Sequence, residues 1–312
     1  MREKGLLLAL LTAVISGVSI FVNSFAVSFG DPFVHTTVKN TAVAVFVLSL
    51  VLALGEWKGI FRLGRKSLAM LMLIGIFGGG IPFLLFFYGL SISSAASASF
   101  FYRMLFVAAI AIGVAYFRER LTLQALAGAI VAMAGSYLIA GGLSFGMGEM
   151  LVLLAAVMWA GEYALSKRML SEIPVKTVVL FRMGIGSLVL ISFLLLTGGI
   201  SLIAEISLVQ AGWALVSSAF LIMFVFAWYG ALRHAQLSTA TAALTLGGPI
   251  TSILSLIFLG KGLALAQATG LLLLVSGIFM IIGLRSMADL LRLLADKANR
   301  AVHSTARVAG PK

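Results

Sequence analysis

The chain has 312 residues, of which 62% are hydrophobic and only 10% are charged, and its formal net charge is +12. Soluble domains carry about 25% charged residues, so this composition excludes a soluble globular protein, whose surface would expose large apolar patches. Because the sequence contains no cysteine, disulfides and thiolate metal sites are also excluded.

Ten apolar runs follow one another along the chain, and each is long enough to cross about 30 Å of hydrocarbon as a helix. Their apolar residues are continuous rather than alternating, which favours helices over a β-barrel. The first run is long and has a counterpart later in the chain, so we interpret it as a span rather than a signal peptide. The sequence therefore predicts an all-α integral membrane protein with ten transmembrane helices, at 5–29, 34–54, 67–91, 95–116, 122–141, 148–167, 175–197, 209–231, 237–259 and 263–284.

The positive charges test this count of spans. If the N-terminus is cytoplasmic, 18 of the 22 Lys and Arg residues fall in cytoplasmic segments and one, Lys261, falls in an outside loop. The remaining three, Lys39, Arg103 and Arg182, lie within spans. This asymmetry follows the positive-inside rule and predicts a protein of the cytoplasmic membrane with its N- and C-termini in the cytoplasm. Topology explains the net charge, so we expect no nucleic-acid partner.

Two halves of the chain resemble each other at a near-constant offset. RLTLQALAGAIVAMAGSYLI (120–139) aligns with GLALAQATGLLLLVSGIFMI (262–281) at an offset of 142, and LALLTAVISG (8–17) resembles LVLLAAVMWA (151–160) at 143. Five spans are an odd number, so the second half must be inverted relative to the first, which is the architecture of many secondary transporters. The predicted units are 1–141, 148–284 and a tail at 285–312.

The segment RERLTLQALAGAIVAMAGSYLI (118–139) joins a short charged connection to a final helix with spaced glycines. With this pattern the chain resembles the drug/metabolite transporter superfamily, in particular its EamA-type members, over about residues 5–284. Glu119 falls at or beside the family's acidic position, whereas the second copy has Lys261 where the family usually has Glu. The family's tryptophan near the start of each half is present once, as Trp159.

The resemblance implies ten spans in two inverted five-helix repeats and the export of small metabolites, amino acids or drugs from the cytoplasm. Lys39 and Arg182, 143 residues apart, resemble the family's basic residue early in the second helix of each half. The expected partners are a small-molecule substrate, the lipid bilayer, a coupling proton and a second copy of the chain in a homodimer. No cofactor is expected, and no Walker loop, H-E-x-x-H or G-x-S-x-G signature is present, which argues against an enzyme.

Two other functions remain open at this point. The basic residues within spans suggest a nucleotide-sugar or phosphorylated-metabolite carrier as one alternative. A membrane receptor or assembly protein that keeps the transporter fold without transporting is the other.

Arg103 is the single charge in SFFYRMLFVAAIAIGVAYF (99–117), about 12 Å into its span. A central Arg costs roughly 3 kcal/mol on insertion scales, so it should face the bundle interior or water rather than lipid. With Phe100 and Tyr102 beside it, this cation suits an anionic or carboxylate-bearing ligand. The alternative is an internal ion pair with Glu162.

The other charges within spans suggest a pathway. Lys39 and Arg182 lie at symmetry-related depths, and His35 shares the face of Lys39. They are interpreted either as the two ends of one pathway or as structural pins that donate to helix C-termini. Glu162, with Trp159 on its face, is the candidate for proton coupling, unless it reaches the cytoplasmic interface near Lys167.

Aromatic residues are the remaining candidates, as cavity lining or as interfacial belts. Gly and Pro within spans, in GIFGGGIPF (75–83) and LGGPI (246–250), indicate either broken helices or close helix packing. The tail at 285–300 has the pattern of an amphipathic helix on the cytoplasmic leaflet or of a short coiled coil. The predicted substrate-binding residues are Arg103, Phe100, Tyr102, Trp159, Tyr88 and Trp228, and the predicted pathway or coupling residues are Lys39, Arg182, Glu162 and His35.

Overall fold

The computed structural model describes residues 2–27, 31–260, 262–283 and 288. Within these residues the regular secondary structure is entirely helical, and ten helical segments are long and apolar enough to cross a membrane. The predicted all-α fold with ten spans is thereby confirmed, and the helices begin and end within about three residues of the predicted runs. Lys261 and, apart from Ala288, the predicted tail helix lie outside the described residues.

The first half of the chain forms five spans, of which the third is interrupted by one turn of π-helix. Its helices are α1 (Arg2–Val27), α2 (Pro32–Ala53), the short α3 (Trp57–Ile60), α4 (Arg65–Ile74), the π-helical turn Gly75–Gly80, α5 (Ile81–Ser91), α6 (Ala95–Phe117) and α7 (Leu123–Ala140).

The second half also forms five spans, of which the fourth is divided into two helices. Its helices are α8 (Met147–Met169), α9 (Val175–Leu196), the short α10 (Ser201–Ala204), α11 (Leu208–His234), α12 (Leu237–Leu244), α13 (Gly247–Leu259) and α14 (Leu265–Ile282).

Polar side chains mark where several helices begin. Asp31 Oδ1 accepts hydrogen bonds of 2.8 and 2.9 Å from backbone N–H groups in the first turn of α2. Pro32 occupies the first position of the same helix, where a missing N–H costs nothing. Ser94 and Thr122 cap α6 and α7 in the same way, each at 3.1 Å. The connections between spans are therefore encoded locally.

The two halves meet most closely where their last helices pack. A Cβ atom added to Gly128 on α7 would lie 2.6 Å from the carbonyl oxygen of Gly277 on α14. A Cβ atom on Gly135 would lie 2.5 Å from the carbonyl oxygen of Gly270. These four glycines are the ones that align between the two copies of the repeat, so equivalent small residues allow the backbones to touch. The two-repeat architecture is confirmed by this pairing.

The bundle has two ends. We call the end where α1 begins the N-terminal face; Gly5 packs there against His234 and Ala235 at the end of α11. The opposite end, where α1 ends, is the far face. Between the two faces, large apolar side chains point outward, including Leu215, Ile130 and Leu272, which is 70% exposed. Such an apolar exterior suits hydrocarbon rather than water.

Candidate functional site

A cavity of about 460 Å³ lies between the two repeats, and we call it the central cleft. It lies toward the far face, because its lining includes the last turns of α1 and α5 and the first turns of α6. The first four spans of the first half and the first three spans of the second half each contribute at least one residue. The lining residues are Ser16, Ser19, Ile20, Asn23, Lys39, Phe83, Phe86, Phe87, Leu90, Ala95, Ala98, Ser99, Tyr102, Trp159, Tyr163, Arg182, Leu221 and Phe224.

Equivalent positions of the two repeats face each other across the central cleft. Residues that the repeat offset of 141–143 relates to one another occur in pairs among the lining residues. A site made at the interface of inverted repeats must draw on the same positions in both. The pairs are Ser16 with Trp159, Ile20 with Tyr163, Lys39 with Arg182, and Phe83 with Phe224.

An aromatic wall forms one side of the cleft around Trp159. Its ring centroid lies 5.2 Å from that of Phe83, 5.7 Å from that of Phe86 and 5.7 Å from that of Tyr102. The indole Nε1 donates a 3.0 Å hydrogen bond to the carbonyl oxygen of Gly78. The polar end of Trp159 is thus satisfied inside the protein, and its rings form a rigid surface for an apolar or aromatic ligand.

Arg182 lies at the base of the cleft beside Glu162. Its Nε atom is 3.9 Å from Glu162 Oε2, and both side chains are buried. The guanidinium also lies over the ring of Phe83, 6.0 Å from its centroid. Arg182 therefore faces the cleft with part of its charge balanced from behind by a carboxylate.

Glu162 is held by a network of hydrogen bonds. Its Oε1 atom accepts a 2.5 Å hydrogen bond from Ser166 and a 2.7 Å hydrogen bond from Tyr229. The alternative pairing of Glu162 with Arg103 is wrong, because the cation beside this carboxylate is Arg182. Glu162 is buried and does not line the cleft in this conformation.

Lys39 lines the cleft as the repeat counterpart of Arg182. Its ammonium forms no ion pair with any residue that the structure describes. His35, one turn earlier, lines a smaller cavity of about 210 Å³ near Asp31 and Glu205, and its Nε2 atom is buried without a partner among the described residues. Lys39 and Arg182 thus line the same cleft, and their role as the two ends of one pathway stays a prediction.

Arg103 faces a second cavity of about 440 Å³, which we call the side pocket. Tyr102, its neighbour, lines both the side pocket and the central cleft. The prediction that Arg103 faces the bundle interior therefore agrees with its position.

Three of the predicted aromatic residues do not line the cleft. Tyr88 is 56% exposed on the outer surface, and Phe100 packs against Phe101 and Tyr137. Trp228 is 1% exposed and packs behind the cleft against Tyr163, with ring centroids 4.7 Å apart. Periodicity could not separate these residues from Tyr102 and Trp159, because every face of a membrane helix is apolar.

The glycine and proline segment of the third span combines both of its proposed roles. Residues Gly75–Gly80 form a π-helical turn, and the carbonyl of Gly78 is the one that Trp159 uses. A Cβ atom on Gly78 would lie 2.5 Å from Glu162 Cγ, so α8 can approach only a glycine here. The break therefore positions Trp159 and Glu162 together. In the ninth span, the helix is interrupted between α12 and α13.

The N-terminal face is closed by polar contacts. Glu119, after α6, accepts hydrogen bonds of 2.6 and 3.1 Å from the backbone N–H groups of Leu237 and Ser238, and one of 2.6 Å from the Ser238 hydroxyl. Lys167 donates to the carbonyl oxygens of Leu232, at 3.1 Å, and Ala235. The pinning of a helix C-terminus that we considered for Lys39 and Arg182 is therefore carried out by Lys167.

Several lining residues are not among those predicted from the sequence, although two signals in the sequence point to them. Ser16, Ser19 and Asn23 lie on one face of an otherwise apolar helix, at spacings of three and four. Phe83 and Phe86 follow the glycine break at a spacing of three. The depth at which these faces meet a second helix is set only by packing.

An inverted pair of five-span repeats around a central cleft defines a membrane protein of the class to which many transporters belong. A model of the EamA-like transporter family matches residues 3–141 and 146–283. The chain therefore belongs to the EamA-like transporter family, whose members are transporters and not enzymes, and it is an integral membrane protein.

The other comparisons concern the fold. A solved crystal structure, described only as that of a protein, is 18% identical in sequence, with a TM-score of 0.71 over 90% of this chain and 96% of the other. At this level of identity the similarity shows the fold alone. No curated protein matches the sequence at a significant level.

Proposed function

We propose that this protein is a secondary active transporter that exports small metabolites, such as amino acids or drug-like compounds, by alternating access. The observation that carries the proposal is the central cleft, which draws on equivalent positions of two inverted repeats and is closed by polar contacts at the N-terminal face. Inverted repeats offer two nearly equivalent packings around one site, one open to each side of the membrane.

A polar pair in each repeat supports this mechanism. Asn23 Nδ2 donates a 3.3 Å hydrogen bond to Ser19 Oγ, and both residues line the cleft. Their counterparts at an offset of 143 are Ser166 and Glu162, which also share a hydrogen bond but are buried. If each repeat adopted the conformation of the other, Ser19 and Asn23 would become buried, and Glu162 and Ser166 would line the cleft.

The distribution of Lys and Arg supports a cytoplasmic N-terminal face in the cytoplasmic membrane. In that orientation, the conformation described here has its cleft toward the exterior and its cytoplasmic side closed by Glu119 and Lys167. For an exporter, this is the conformation from which the substrate leaves to the exterior.

A carrier of nucleotide sugars or other phosphorylated metabolites is a second candidate. Lys39 favours it, because this cation lines the cleft without an ion-pair partner among the described residues. If this candidate is correct, UDP-glucose raises the melting temperature of the purified protein, and Lys39→Gln removes that shift.

Counterflow in proteoliposomes tests the main proposal. Vesicles that contain the protein and are preloaded with a pool of amino acids should accumulate labelled amino acids faster than protein-free vesicles. Trp159→Ala removes the centre of the aromatic wall. It should lower the rate about tenfold, because one aromatic contact with the substrate is worth about 1.4 kcal/mol. Tyr88→Ala is the matched control, because this aromatic residue is exposed outside the cleft and should leave the rate unchanged.

The absence of flux for amino acids, drug-like cations and nucleotide sugars alike would contradict the proposal. A stable protein partner recovered together with that absence would favour a receptor or assembly role. Equal effects of Trp159→Ala and Tyr88→Ala on flux would show that the central cleft is not the substrate site.

A further inference from the structure

The side pocket adjoins the central cleft. It lies between α1, α6, α12, α13 and the start of α14, and Ser16, Ile20, Ser99 and Tyr102 line both cavities. Its volume of about 440 Å³ is many times that of one water molecule, so a functional group of a ligand fits inside it. The two cavities therefore lie side by side around Tyr102.

Arg103 is the only charged side chain that lines the side pocket in the described part of the chain. Its Nη1 atom is buried and has no hydrogen-bond partner there. The ion pairs found among the described residues, Lys176 with Glu56 and Arg182 with Glu162, do not include it. A buried guanidinium without a counter-ion is unfavourable unless a ligand supplies the negative charge.

Several hydroxyl groups line the side pocket together with Arg103. The hydroxyl groups of Thr251 and Ser252 already donate hydrogen bonds to backbone carbonyl oxygens of α1 or α13. In contrast, Ser16, Ser99 and Ser255 form no hydrogen bond with a described residue, so their hydroxyl groups are available to a ligand. A planar guanidinium and hydroxyl donors match the oxygen atoms of a carboxylate.

We propose that the side pocket binds a carboxylate group, with Arg103 as its anchor, while the apolar or aromatic body of the same molecule lies against Tyr102 and Trp159 in the central cleft. The substrate class is an organic carboxylate, because Arg103, the single cation among the described residues that line the side pocket, matches one carboxylate group. This inference rests on the proposed transport function, since it names the class of molecule that the same cleft carries.

Binding of a matched pair of probes tests the inference. Calorimetry compares 3-phenylpropionate with its neutral amide, 3-phenylpropionamide, on the full-length protein in nanodiscs. The wild type should bind the acid about tenfold or more tightly than the amide, since a hydrogen-bonded charge is worth about 1.5–3 kcal/mol. Arg103→Gln should abolish this preference. The control Arg62→Gln, in an exposed connection at the N-terminal face, should retain it.

A second variant leaves the charge in place. A Cβ atom on Gly248 would lie 3.4 Å from Arg103 Nη2, so Gly248→Val fills the space in front of the guanidinium. It should reduce the preference for the acid over the amide to less than about twofold, because neither head group can then reach the guanidinium. This variant decides the question if Arg103→Gln does not fold.

Two outcomes would overturn the inference: equal affinity of the wild type for acid and amide, or an acid preference that survives both Arg103→Gln and Gly248→Val. Either result, together with intact counterflow of another substrate, would reject the carboxylate site but not the proposed transport function. Conversely, an acid preference that depends on Arg103, without flux of any substrate, supports the carboxylate site and contradicts transport.

Discussion

At the scale of single residues, the pair of Glu162 and Arg182 governs the chemistry at the base of the cleft. The carboxylate is fixed by Ser166 and Tyr229 on one oxygen, while the other lies 3.9 Å from the guanidinium. Breaking a buried pair by removing one charge costs about 3–5 kcal/mol, because the other charge stays buried. A proton on Glu162 would have the same effect on Arg182, which is how protonation can be linked to the central cleft.

If the proposed transport is driven by protons, as expected from the sequence, Glu162→Gln should uncouple it from the proton gradient. The variant should still exchange labelled for unlabelled substrate, because the cleft is intact, but should lose accumulation driven by a pH difference by about tenfold. Uptake into proteoliposomes without a pH gradient measures the exchange, and uptake with an imposed pH gradient measures the driven accumulation. Glu172→Gln, which changes a carboxylate in the exposed connection between α8 and α9, is the control and should remain coupled.

The double variant Glu162→Gln with Arg182→Met separates coupling from stability. It removes both charges and should unfold at a higher temperature than Glu162→Gln alone, because no unpaired cation remains. Accumulation by Glu162→Gln at the wild-type level under the same gradient would rule out Glu162 as the coupling residue.

At the scale of elements, the π-helical turn Gly75–Gly80 sets how closely α9 approaches the third span. A Cβ atom on Gly186 of α9 would lie 2.5 Å from the backbone of Gly79, a distance that real Cβ atoms do not show. Gly184, two residues earlier on the same helix, has no neighbour within 4 Å of an added Cβ atom. The two glycines thus have different structural roles within one turn.

Gly186→Ala should lower the stability of the protein, whereas Gly184→Ala should not. The first change forces two backbones apart and should cost about 1–3 kcal/mol, the usual penalty for overpacking. The second adds a methyl group in open space and should be neutral or slightly stabilising. Thermal unfolding in detergent compares the pair, and equal melting temperatures for the two variants would show that the contact between α9 and the π-helical turn is not close.

At the scale of the whole molecule, closure of the N-terminal face depends on Glu119. Three hydrogen bonds from Leu237 and Ser238 converge on its carboxylate, at the N-terminus of α12, where the helix dipole favours negative charge. These bonds join the first repeat to the second. A conformational exchange that opens the N-terminal face must break them.

Glu119→Gln should shift the population away from the conformation described here. Asn23→Cys places a thiol in the cleft near the far face, and the absence of native cysteine makes it the only one. Maleimide labelling of this thiol in nanodiscs should become about tenfold slower in the Glu119→Gln background, since charged hydrogen bonds are worth about 1.5–3 kcal/mol.

Glu56→Gln is the matched control for this experiment. Glu56 pairs with Lys176 at the same face, but the pair is about one-third exposed, and such pairs contribute little. Its removal should leave the labelling rate unchanged. An unaltered rate in Glu119→Gln as well would show that the carboxylate does not hold the N-terminal face closed.

The sequence by itself determined the number of spans, their limits and the inverted repeat. A run of about 20 apolar residues must cross the bilayer as a helix, because only a helix lets a single segment form all of its backbone hydrogen bonds internally where water is absent. The constant offset then related the halves, so that Lys39 and Arg182 were recognised as equivalents before their positions were known. Arg103 was expected to face the interior because a charged side chain in lipid is energetically costly, and it does face an interior cavity.

Only the tertiary structure decided which side chains meet. It paired Glu162 with Arg182, separated Tyr102 in the cleft from Tyr88 on the surface, and brought Glu119 to Ser238. The physical reason is that lipid and protein interior are both apolar. The hydrophobic pattern of a membrane helix therefore does not reveal which face packs inward, and contacts between distant helices are fixed by the shapes of small residues such as Gly78 and Gly79.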